Sequence, residues 1–211
     1  EASGQRVSSA ALALELLDAA LAGGERLGRG ATVAVACDEL LQPRVVRAGR
    51  LRRLAPKLYT ANLIDTPESI VRRHLYRILS RYYPKAVISH RSALEGGNFR
   101  DETIFLTYEY TKRVSLPGIT LHLLQGSGPV EGDMPFLEGL FVASRARAVL
   151  ENLQPASARS TRAKCWPREE IENHLDEIVR VQGDAELVRL CDHAWRIAPA
   201  VFRHYGAEAL C

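Results

Sequence analysis

Between Arg44 and Arg91 stand Arg44, Arg47, Arg50, Arg52, Arg53, Lys57, Arg72, Arg73, Arg77, Arg81, Lys85 and Arg91 against only Asp65 and Glu68, a net charge of +10. The whole chain sums to +3, so everything outside this stretch carries −7 and the charge is segregated along the sequence. Guanidinium groups at this density suit one chemistry above others, the pairing of phosphate oxygens, and segregated positive charge points to a polyanion partner. A solvated basic face is the competing explanation, because arginine-rich surfaces are common.

Histidine, cysteine and carboxylate chemistry finds less support. His74 and His90 are the histidines near the basic stretch, and no nucleophile or carboxylate stands in a recognisable relation to them, so structural roles are favoured. Cys37, Cys165, Cys191 and Cys211 lie far apart with no C-x-x-C, which fits neither a zinc site nor a disulfide framework and makes a reducing cytoplasm the expected compartment. The glycines of QGSGPVEGD lack the preceding strand, following helix and lysine that a phosphate loop requires. There is no H-E-x-x-H and no G-x-S-x-G, and acidic pairs such as Glu169-Glu170 and Asp176-Glu177 fall on helical surfaces. No enzymatic activity, metal or cofactor is therefore expected.

Elements must position the arginines. Pro43 opens a short helix, PRVVRAGR, with Arg44 and Arg47 on one side, Val45 and Val46 on the other, and Gly49 as its stop. A ribbon follows: Leu51 to Leu54 as one strand, Ala55-Pro56-Lys57 as the turn, Leu58 to Ala61 as the return. Upstream, AALALELLDAALAGG reads as a first helix, and ATVAVACDELL, ambiguous between strand and helix, is assigned to the second helix of a helix-turn-helix. A helix presenting arginines beside a ribbon carrying Arg52, Arg53 and Lys57 has the grammar of a winged helix-turn-helix, in which one element enters the major groove while the other rests on phosphates.

After the ribbon, Thr66 caps a helix, Pro67 takes its first position, Glu68 meets its positive end and Pro84 stops it. Ile70, Val71, His74, Leu75, Ile78, Leu79 and Tyr82 mark its buried face, while Arg73, Arg77 and Arg81 form an i, i+4, i+8 stripe, either a solvated flank or a phosphate track. Ser92 and Glu95 suggest a capping box on a short helix closed by Gly96-Gly97. From Glu102 the texture is β-rich: ETIFLTYEY, pairing with KRVSL, then GITLHLLQG, then FLEGLFVAS leading into the helix SRARAVLENL with Ser144 as its cap. QPASARSTRAK is a polar linker, followed by helices opened by Pro167 and by Asp184, joined at Gln182-Gly183. Ile171, Leu175, Ile178 and Val179 share one face, as do Leu187, Leu190, Cys191, Ala194 and Ile197, and a last segment surrounds AVFRHYGAEAL.

The expected fold is α+β: an N-terminal winged helix-turn-helix over 1–64, a small mixed α/β domain over 65–155 and a C-terminal helical hairpin over 156–211. Composition agrees, with 46% hydrophobic and 25% charged residues and no run of 18 apolar residues, so no membrane association is expected. The absence of an initiating methionine and an end at Cys211 directly after an apolar stretch read as a fragment of something longer.

In order, GRLRRLAPKLYTANL, VRRHLYRILSRYYPKAVISHRSALEG and FLEGLFVASRARAVLENL resemble the AbiEi-type antitoxins of type IV toxin-antitoxin systems, over roughly residues 8 to 155. The most specific parts are the wing with Gly49, Leu51, Arg53 and Tyr59, and the block from Ile88 to Gly96. The same region is also similar to one found ahead of Fic domains. The resemblance implies a winged helix that binds double-stranded operator DNA in its own promoter and a C-terminal domain that serves neutralisation of a cognate toxin. Arg44, Arg47, Arg50, Arg52, Arg53 and Lys57 would form the DNA-facing set, with Arg73 and Arg77 from the helical stripe beside it. A palindromic operator would make a symmetric homodimer natural. The alternative is a non-catalytic regulatory or protein-interaction region preceding a downstream Fic domain. The Fic catalytic signature H-P-F-x-x-G-N-G-R is absent, and Ser92 stands three rather than four residues before Glu95, which departs from the Fic inhibitory pattern.

Overall fold

Alternating valines at Val33 and Val35 favour extended backbone, because branching at Cβ stiffens the side chain against the crowded turn of a helix. The computed structural model describes residues 33–35 (backbone), 52–56, 58–60, 62–97, 100–153 and 164–203, and it makes Val33–Val35 a strand, β1. The helix assigned to ATVAVACDELL is thus corrected at these residues. The helices expected before β1 and over PRVVRAGR lie outside the described residues, as do most of the linker after Leu153 and the end of the chain after Arg203.

The chain forms two compact units, residues 1–75 with 116–118, and residues 76–115 with 119–211. In the first, β2 (Arg52–Ala55) and β3 (Leu58–Thr60) turn at Pro56, as the Ala-Pro signal predicts. The sheet order is β1-β3-β2, with both pairings antiparallel and a register shift between Arg53 and Ala55. Leu58, Tyr59 and Thr60 are all buried, as befits the central strand. Helix α1 (Pro67–Tyr82) begins in this unit and ends in the second. Thr66 Oγ1 accepts from the Ser69 amide at 3.3 Å, supplying the expected cap. Ile70, Val71, Leu75, Ile78 and Leu79 are buried, and Arg73, Arg77 and Arg81 are exposed.

The second unit is built on β4 (Val87–Ile88), α2 (His90–Leu94), β5 (Thr103–Tyr108), β6 (Lys112–Leu116), β7 (Ile119–Gln125), β8 (Met134–Pro135) and β9 (Phe141–Val142). The sheet order is β6-β7-β5-β4-β9-β8. β5 pairs with β7 in parallel and with β4 antiparallel, which corrects the expected pairing of β5 with KRVSL. Burial explains the outcome: Ile104 to Thr107 are buried consecutively and suit an interior strand, whereas β6 is largely exposed and suits the edge. FLEGLFVAS forms a paired strand only at Phe141–Val142, because Glu138 and Gly139 adopt left-handed backbone within a 3-10 turn. The Ser92 and Glu95 capping box does not form. Ser92 lies inside α2, and its hydroxyl accepts instead from the Phe105 amide at 3.0 Å.

Ser144 caps α3 (Arg145–Asn152) by accepting from the Arg147 amide at 3.2 Å. Helices α4 (Arg168–Gln182) and α5 (Asp184–Val201) meet at Gly183, where φ is +85°. α5 runs through Pro199 instead of ending there. Ala146, Ile178, Leu190, Ile197 and Val201 form one buried cluster, so α3, α4 and α5 share a core.

The loop between β7 and β8 is bolted to these helices. At Gly132, with φ +84°, an added Cβ would lie 2.2 Å from His193 Cε1. The imidazole could escape only by giving up its contact from Nε2 to the Glu131 carbonyl at 3.1 Å. Gly132→Ala is expected to cost about 1–3 kcal/mol in a thermal or urea melt. Gly128→Ala, where no atom lies within 4 Å of the added carbon, should cost much less.

Candidate functional site

Strand geometry separates the two neighbouring arginines of the ribbon, because successive side chains point to opposite faces. Arg53 is exposed, and its Nε donates to the Ala55 carbonyl at 3.4 Å. Arg52 is half-buried; one terminal nitrogen donates to the Asn62 carbonyl at 3.1 Å and also to that of Asp65.

Asn62 and Asp65 form a hub between β3 and α1. Asn62 Oδ1 accepts from the Ile64 amide at 2.9 Å and the Asp65 amide at 3.0 Å, and Nδ2 donates to Asp65 Oδ2 at 2.9 Å. Arg73 donates to the same carboxylate oxygen at 2.9 Å. The Arg73 guanidinium, then the Asn62 amide, hold the Asp65 carboxyl below its ordinary range. Arg52 and Arg73 therefore converge on one turn as fasteners, while Arg53 and Arg77 face solvent. Arg44, Arg47, Arg50 and Lys57 lie outside the described residues.

A second concentration of polar groups lies in the other unit, and sequence reasoning missed it. Arg147 is fully buried in α3. Its Nε donates to Glu151 Oε1 at 2.9 Å, one terminal nitrogen donates to Asp133 Oδ2 at 2.6 Å and the Gly128 carbonyl at 2.9 Å, and the other to the Ser127 carbonyl at 2.8 Å. Burial by itself would lower the Arg147 pKa, and the carboxylates of Glu151 and Asp133 more than reverse that. The Arg147 and Glu151 pair at i, i+4 was visible in SRARAVLENL, but that spacing ordinarily marks an exposed pair.

Glu151 leads on to His90. Its Oε2 accepts from the His90 amide at 3.1 Å and lies 3.7 Å from Nδ1 of the ring. Ser89 Oγ sits 3.1 Å from the same Nδ1 and accepts from Thr107 Oγ1 at 2.9 Å. Serine, histidine and glutamate thus lie together, but a nucleophilic relay needs serine and acid on opposite ring nitrogens. Here both address Nδ1, and Ser89 is buried. The arrangement is suited to fastening β4, α2 and α3 rather than to acyl transfer.

Among the described residues no group of three or more His, Cys, Asp or Glu is placed to hold a metal ion. Among the same residues no helix is long and apolar enough to cross a membrane. Comparison of the chain with protein-family models, curated proteins and solved structures found no match in any of the three.

Proposed function

We propose that the protein is a DNA-binding transcriptional regulator of the antitoxin type, repressing its own promoter and neutralising a cognate toxin. The observation that carries the reading is the concentration of charge, +10 between Arg44 and Arg91 in a chain of +3. The sheet order β1-β3-β2 supports it, since a short strand upstream of the basic segment pairs antiparallel with the ribbon strand β3. The division of labour among the arginines refines it. Arg53 is open to solvent, so it joins Arg44, Arg47, Arg50 and Lys57 as the proposed phosphate- and base-facing set, and Arg77, exposed in the second unit, is proposed as a phosphate contact of its own. Arg52 and Arg73 hold the turn between ribbon and helix and act on DNA only through the shape they maintain.

If roughly five or six side chains meet phosphates, log affinity should fall with log salt at a slope of about −5. Anisotropy titrations against the DNA upstream of its own gene, over a salt series, test this. Arg53→Ala should weaken binding at low salt and reduce the slope by about one, leaving thermal stability unchanged. Arg52→Ala should lower the melting temperature, with loss of binding following loss of folded protein. Equally weak binding to every duplex would overturn the reading.

A further inference from the structure

Helix α5 carries two apolar stripes, each with the alternating spacing of three and four that suits one helix packing on another. The inner stripe, Leu187, Leu190, Ala194, Ile197 and Val201, packs on the core it shares with α3 and α4, where Leu187 and Ala194 stay partly exposed and also line the groove described next. The outer stripe, Val188, Cys191, Trp195, Ala198 and Phe202, is open to solvent in its first half, with Trp195 81% exposed and Val188 59% exposed, whereas Ala198 is buried and Phe202 packs partly on the core. From Cys191 to Phe202 this stripe forms one wall of an open apolar groove of about 460 Å³, with Leu150 and Leu153 of α3 opposite. Tryptophan this exposed beside a groove this apolar is characteristic of an interface, where tryptophan is the commonest energetic anchor.

The charge along α5 selects the occupant. Its first half holds Asp184, Glu186 and Asp192 against Arg189, and its second half holds Arg196, with Arg203 just beyond its end, and no carboxylate. Glu186 pairs with Arg189 and Arg196 with Glu131 within the chain, so Asp184 and Asp192 at one end and Arg203 at the other are the charges that set the direction. A second α5 laid antiparallel brings acidic half against basic half, and a parallel one opposes like charges. The same face also presents both a projecting ring and a groove, the self-complementarity that a two-fold interface requires.

We infer that this face of α5 is a homodimer interface, in which α5 packs antiparallel on α5 of a second copy across a two-fold axis between Cys191 and Trp195. Trp195 of each copy rests against Cys191 and Leu187 of the other, and Asp184 approaches Arg203 of the other. Two helical hairpins thereby meet in the manner of a four-helix bundle. The interface involves no DNA, so a failure of the DNA reading leaves it standing, and a monomeric chain would leave that reading intact.

Sedimentation velocity over a concentration series of the full chain tests it. The wild-type chain should self-associate to a dimer, and Trp195→Asp should weaken association by about a hundredfold with an unchanged far-ultraviolet spectrum. In a Trp166→Phe background, Trp195 emission should shift to the blue as concentration rises. Asp184→Arg should weaken the dimer, and adding Arg203→Asp should restore it, which a merely damaged helix would not do. A wild-type chain that stays monomeric throughout, or a dimer indifferent to Trp195→Asp and to the charge exchange, overturns the inference.

Discussion

Replacement of Arg147 by methionine is expected to lower the free energy of unfolding by about 3–5 kcal/mol, measured by urea denaturation near neutral pH. The side chain is fully buried and donates to Glu151, Asp133 and the carbonyls of Ser127 and Gly128. Methionine fills similar volume, so the loss arises from stranding two buried carboxylates and two carbonyls rather than from a cavity. Arg147→Lys should recover little, because one ammonium cannot reproduce the planar fork that reaches both carboxylates and both carbonyls. Buried ion pairs can often be exchanged for apolar groups at no cost, but these carboxylates have further duties. Asp133 Oδ2 accepts from the Val130 amide at 2.9 Å, Asp133 Oδ1 accepts from the Ser144 amide at 2.9 Å, and Glu151 accepts from the His90 amide. Removing all three charges together would therefore orphan backbone donors, and the triple apolar variant is expected to remain unstable. Asp133→Asn, which keeps an acceptor, should be milder than Arg147→Met. A loss below about 1 kcal/mol for Arg147→Met would refute this account of the cluster.

How much of this was legible in the sequence depended on whether the cause was local. Helix α1 was legible because Thr66, Pro67 and Glu68 specify a start, the apolar positions repeat with helical period, and Pro84 specifies a stop. The ribbon was legible from its Ala-Pro turn and α3 from Ser144. β1 was not, since three residues are too few to distinguish a period of two from one of 3.6. The parallel pairing of β5 with β7 was hidden for another reason: local proximity favours the next strand, and only burial on both faces of β5 decides otherwise. The site residues were hardest to separate. Arg52 and Arg53 are alike as letters, yet Arg52 meets partners ten and thirteen residues away and Arg53 does not. Likewise Arg145 is exposed and Arg147 buried, although both follow the Ser144 cap. In QGSGPVEGD the glycines announced a loop, but nothing local announced that Asp133 would close over a buried guanidinium.

The same network makes stability depend on pH through His90. This residue is 2% exposed, and burial pushes its pKa down from 6.5 to about 4, with Glu151 opposing and Lys164 and Arg147 reinforcing the shift. At neutral pH the ring is therefore uncharged, and its contact with Glu151 is not an ion pair. Above about 6.5 the folded and unfolded chains both hold neutral imidazole, and the full stability is present. As pH falls below that value the unfolded chain binds the proton first, so stability is lost until the folded pKa near 4 is reached. From the two pKa values, the part lost by pH 5 is about 2 kcal/mol. His90→Asn isolates the effect, because carboxylates elsewhere titrate equally in both proteins. Asparagine is also the side chain that best tolerates the left-handed backbone at this position, where φ is +52°. The wild-type chain should lose about 2 kcal/mol more than His90→Asn between pH 7.5 and pH 5 in parallel urea titrations. Coincident pH profiles would mean that His90 takes up its proton inside the folded chain as readily as outside it, and that Glu151 meets an imidazolium rather than a neutral ring.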